Sequence, residues 1–107
     1  MSDLEYLKQF HSMKDVADII TDIEKIDVFL QHGMWPELQK HIDDVCWKYP
    51  VERAAHNAKH LIPPSSLEES AQNCRQFLIN IGKAKITTEG LRHLNEDSRK
   101  KQDQQDN

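Results

Sequence analysis

Nearly every stretch of this chain spaces its apolar residues three or four apart, and no run alternates apolar with polar long enough to make a strand. That single period restricts the chain to packed helices. The clearest run is Val16, Ile19, Ile20, Ile23, Ile26 and Leu30. Ser12, three residues before Asp15, predicts a capping-box-like start for it, and Gly33 supplies a left-handed stop. A shorter helix around Asp3 to Phe10 precedes it, presenting Leu4, Leu7 and Phe10.

A third helix opens at Trp35-Pro36, where proline suits a first turn, and turns Trp35, Leu38, Ile42, Val45, Cys46 and Tyr49 inward until Pro50 ends it. A fourth spans the interval from Pro50 to Pro63-Pro64. Ser66 with Glu69 forms a capping box that launches Leu67, Ala71, Cys74, Phe77, Leu78 and Ile81 toward a stop at Gly82. Beyond it, Lys83 to Ile86 is a loop or a short extended piece, and Thr87 or Thr88 caps a last helix with Leu91 and Leu94. The expected fold is all-α, a compact bundle of about five helices forming a single domain over residues 1–94. Residues 95–107 contain no apolar side chain and are expected to form a disordered polar tail.

The balance of 14 Lys plus Arg against 18 Asp plus Glu, formally -4, gives no general attraction to phosphate backbones or anionic lipids. Nucleic acid and membrane are therefore not expected partners. No apolar run is long enough to span a bilayer and the N-terminus has no apolar leader pattern, so a cytoplasmic location is expected. Cys46 and Cys74 both fall on apolar stripes, without metal spacing. There is no phosphate loop and no catalytic constellation, so neither a cofactor nor a small-molecule substrate is expected and an enzyme is not the favoured class.

The fourth helix carries the chain's plainest chemistry. Val51, Ala54, Ala55, Ala58, Leu61 and Ile62 share one stripe, which should face the core. His56, His60 and Arg53 fall on the opposite face, which should meet solvent. His56 and His60 are spaced to share a metal ion, although two ligands make a weak site and a third would have to come from Glu37, His41, Asp44 or His93. No metal is therefore expected. Glu37 with His41 and Asp44 with Lys48, at i,i+4, read as ordinary solvated pairs.

His56 followed by Lys59 resembles the His-x-x-Lys motif of histidine phosphotransfer domains, which relay a phosphoryl group through an exposed histidine on a four-helix bundle. The resemblance implies His56 as the phosphoryl acceptor, with the Lys59 ammonium one turn away to stabilise the product. A third reading concerns Trp47, Val28 and Ile79, each displaced from its own helix's apolar stripe. They either sit beneath the first and last helices or form an exposed apolar patch with an aromatic anchor. The leading expectation is a regulatory or adaptor module that binds another protein through Trp47, Val28, Ile79, Arg53 and His60. Phosphotransfer through His56 and a weak histidine metal site are the alternatives.

Overall fold

A computed structural model of the chain describes the backbone of residues 2–59 and 65–105 and the side chains of residues 2–55 and 65–90. It is an all-α bundle of five helices: α1 (Asp3–Lys8), α2 (Lys14–Gln31), α3 (Trp35–Lys48), α4 (Pro50–Lys59) and α5 (Leu67–Gln105).

Local chemistry sets most boundaries. α1 starts in a full capping box, the Ser2 hydroxyl accepting from the Glu5 amide and the Glu5 carboxylate accepting from the Ser2 amide. α2 begins one residue later than its sequence suggests. Its N-cap is Met13 and no side chain bonds the first turn, so Ser12 does not cap it. At the other end the expected stop is present. Gly33 takes φ +61, its amide bonds Leu30 O, and the Met34 amide reaches back to Phe29 O in a Schellman closure. α5 opens near the expected place, with the Ser66 hydroxyl accepting from the Glu69 amide. The Glu69 carboxylate reaches back to the amide and hydroxyl of Ser65, and the amide bond above all holds its carboxyl below the ordinary range.

The core is the convergence of α2, α3 and α5, closed by α1. Ile19, Ile23 and Ile26 of α2, Leu38, Ile42 and Val45 of α3, and Ala71, Cys74, Phe77, Leu78 and Ile81 of α5 are all buried, as their spacing requires. Trp35 departs from that pattern and is 42% exposed at the start of α3. Ion pairs lash the long helix to its neighbours, Lys85 reaching Asp15 of α2 at 3.8 Å among them. Arg75 bonds Asp27 of α2 at 2.9 Å, and Lys83 bonds Asp3 of α1 at 2.9 Å.

The main departure from expectation is Gly82. It does not end a helix; α5 runs through it and onward to Gln105 without a loop at Lys83 to Ile86. Gly82 is buried because Leu7 of α1 lies against it. A β-carbon there would come within 2.9 Å of Leu7 Cδ2. Glycine has two uses in helices, as a left-handed stop and as a flat place for a neighbour to approach. Gly33 is the first kind and Gly82 the second. Residues 95–105 have helical backbone continuing α5. Their expected independence from the bundle predicts that truncation after Leu94 leaves the melting temperature unchanged.

Candidate functional site: the α3–α4 corner

α3 ends because Tyr49 leaves helical geometry at φ -129 and ψ 64, and Pro50, lacking an amide proton, restarts the chain as the first residue of α4. This kink fixes the phase of α4. Arg53 turns toward the bundle, its guanidinium lying 5.6 Å from the Phe77 ring centroid. Val51 lies some 200° around the helix from Arg53 and so points the other way. The expected orientation of α4 is thereby reversed: Val51 is 77% exposed, and Ala54 and Ala55 are exposed with it. Arg53, expected on an open binding face, instead stacks inward. Its Nη1 is buried and has no hydrogen-bond partner among the described residues.

Trp47, in the last turn of α3, is 84% exposed. Indole is among the costliest surfaces to leave in water, and here it stands four residues before Val51 across the kink. Trp47 and, beyond the kink, Val51, Ala54 and Ala55 are the exposed apolar residues of this α3–α4 corner, with no covering element among the described residues.

α3 is tied to α2 by polar residues that stand on the apolar stripes. Asp22 lies three residues after Ile19 and four before Ile26; His41 lies three after Leu38 and four before Val45. Both thus occupy positions on apolar stripes, and both are buried. His41 Nε2 lies 3.0 Å from the Asp22 carbonyl oxygen, so that nitrogen must carry the proton and donate. The ring's edge meets Phe29. Lys48 donates to the Asp22 carboxylate at 3.0 Å. Burial pulls the Lys48 pKa down, but its bond to Asp22 and that residue's charge outweigh burial and leave it raised. The expected surface pairs are accordingly replaced: His41 is engaged within the bundle and not held by Glu37 on a solvated face, and Lys48 pairs across helices with Asp22 instead of with Asp44. Tyr49 packs edge-on to Phe77, and burial pushes its phenol upward. Beneath it the Cys74 thiol is pushed up to about 12, chiefly by burial.

The remaining candidates are dispersed. Val28 is 47% exposed near the end of α2, beside Thr21, Glu24, Lys25 and Phe29. Trp47 is not among the residues that line this recess. Ile79 is 1% exposed and is no binding residue. It lies one turn before Gly82, on the side that α1 closes with Leu7. His56 and Lys59 have helical backbone in α4, but their side chains lie outside the described residues, as do the whole of His60 and the side chain of His93. Among the described residues no group of three or more His, Cys, Asp and Glu could hold a metal ion. No helix of the described residues is long and apolar enough to cross a membrane.

No known protein family, curated protein or solved structure matches this chain.

Proposed function

We propose that the protein is a regulatory or adaptor module that binds another protein through the α3–α4 corner, with Trp47 as the anchor. The observation that carries this reading is the exposure of Trp47 at 84%, with Val51 at 77% on the other side of the kink. Exposed tryptophan contributes little to a folded monomer, whereas tryptophan dominates the energetics of protein interfaces. The bonds from His41 and Lys48 to Asp22, which tie the helix that carries Trp47 to α2, support the reading, because an anchor held in place loses less freedom on binding.

A photo-cross-linking amino acid in place of Glu52, beside the corner, tests this in cells that express the protein. A discrete heteromeric adduct should form, and it should disappear when Trp47→Ala is added. Adducts indifferent to Trp47 would refute the reading.

A further inference from the structure

We propose that Cys46 and Cys74 are a redox couple, which a low-molecular-weight disulfide closes into a bond between α3 and α5.

The two thiols oppose each other because their helices run side by side in one direction. Trp35, at the start of α3, lines one recess with Ser66 and Glu69, at the start of α5. Farther along both helices the rings of Tyr49 and Phe77 meet edge-on, their centroids 6.3 Å apart. Cys46 and Cys74 each lie three residues before those rings, on neighbouring positions of the same helix faces. The register that joins Tyr49 to Phe77 therefore sets the thiols opposite each other one turn earlier. Cys46 packs against the core cluster to which Cys74 belongs. The pair is also close enough for the charge of one sulfur to act on the other, and the further charged groups that reach Cys74 are Arg53 of α4 and Asp22 of α2.

Their exposure differs, and that orders the chemistry. Cys46 is half-buried and open to a small reagent, whereas Cys74 is fully buried. Cys46 gives its proton to water and its thiolate attacks one sulfur of the reagent, forming a mixed disulfide and expelling a small thiolate, which takes up a proton. Cys74 then gives up its proton and attacks the Cys46 sulfur, breaking the bond to the reagent and releasing a second small thiol. Two protein thiols and one small disulfide thus become one protein disulfide and two small thiols. The second step is the slow one, since burial holds the Cys74 proton to about 12. The same burial makes Cys74 a poor leaving group when a reductant attacks Cys46, so the bond is also slow to reopen. Closure ties to α5 the turn of α3 that carries Trp47.

Incubation of the folded, full chain with oxidised glutathione, followed by mass spectrometry, tests the couple. A glutathionyl adduct of Cys46 should appear first and convert to a monomer about 2 Da lighter than the reduced chain. A digest of that monomer should contain the Cys46 and Cys74 peptides joined. Cys46→Ala should leave Cys74 unmodified, and Cys74→Ala should stop at the Cys46 adduct. The closed form should unfold at a higher urea concentration than the reduced form, because the bond restrains the unfolded chain and needs no rearrangement of the folded one.

A Cys46 adduct that persists after transfer to about pH 9, where the Cys74 thiolate is more abundant, would show that the thiols are not opposed. A dimer joined through Cys46 in place of the closed monomer would show the same. A closed form with a lower urea midpoint than the reduced chain would mean that the bond forms only by distorting the bundle, which also refutes the couple. Should Cys74→Ala not fold, the joined peptides and the urea midpoint of the unsubstituted protein decide alone.

Discussion

α2 and α4 are both amphipathic by sequence, and the fold uses them in opposite ways. α2 turns Val16, Ile19, Ile20, Ile23 and Ile26 into the centre of the molecule, between α1, α3 and α5. α4 meets α3 and α5 with its Arg53 side and leaves Val51, Ala54 and Ala55 in solvent. The difference lies in what each stripe offers. Five large branched side chains on α2 bury enough surface to dictate its orientation. The described part of the α4 stripe is one valine and two alanines, the side chains of Ala58, Leu61 and Ile62 lying outside the described residues, and there the Tyr49 kink sets the phase instead. A helical stripe says which residues share a face; its bulk decides whether that face wins the core.

The largest effect that separates the two regions is truncation. Leu38→Ala, at a fully buried position, should cost about 2–5 kcal/mol by urea denaturation. Val51→Ala and Trp47→Ala, on the corner, should each stay within about 0.5 kcal/mol. A Val51→Ala protein as damaged as Leu38→Ala would mean that α4 buries its stripe after all, and the docking surface would vanish with that result.

A smaller effect should appear in alkali, and only through the buried side of the corner. The folded Cys74 thiol keeps its proton to about 12, whereas an unfolded thiol surrenders it near 8.5. Above that point the unfolded chain binds fewer protons than the folded one. The stabilisation is therefore complete below roughly pH 8.5 and drains as pH rises toward 12, by up to about 1.4 kcal/mol per pH unit. The raised phenol of Tyr49 and the raised ammonium of Lys48 act in the same direction. Stability measured against pH should fall over this range, and Cys74→Ala should make the fall shallower. A curve unchanged by Cys74→Ala would show that the thiol is open to solvent.

The parts of the fold that were legible share one property: neighbours in sequence decide them. Leu38, Ile42, Phe77 and Leu78 lie in the core because their own helices' periods put them there, and Gly33 stops α2 because the left-handed turn is local. The candidate site was less legible because it depends on packing between distant segments. Asp22 and His41 broke two apolar stripes at matching positions, a detectable signal, yet only the approach of α3 to α2 joins them. Trp47 and Ile79 looked alike, each displaced from its stripe. α1 closes the side of α5 that carries Ile79, and none of the described elements covers Trp47.

The finest test of that last distinction uses the two glycines of α5. A β-carbon at Gly82 would lie 2.9 Å from Leu7 Cδ2 and 3.1 Å from Cδ1, whereas one at Gly90 meets nothing within 4 Å. Alanine gains about 1 kcal/mol over glycine in a helix interior wherever space allows. At Gly82 that gain opposes an overpacking cost of about 1–3 kcal/mol, and Leu7, fully buried, has no open side into which to retreat. Gly82→Ala should therefore lower stability slightly, and Gly90→Ala should raise it slightly. Leu7→Val, destabilising alone, should cost less in the Gly82→Ala background, because the shorter side chain makes room for the new methyl. If Gly82→Ala instead stabilised as Gly90→Ala does, α1 would not be seated on α5 at this point.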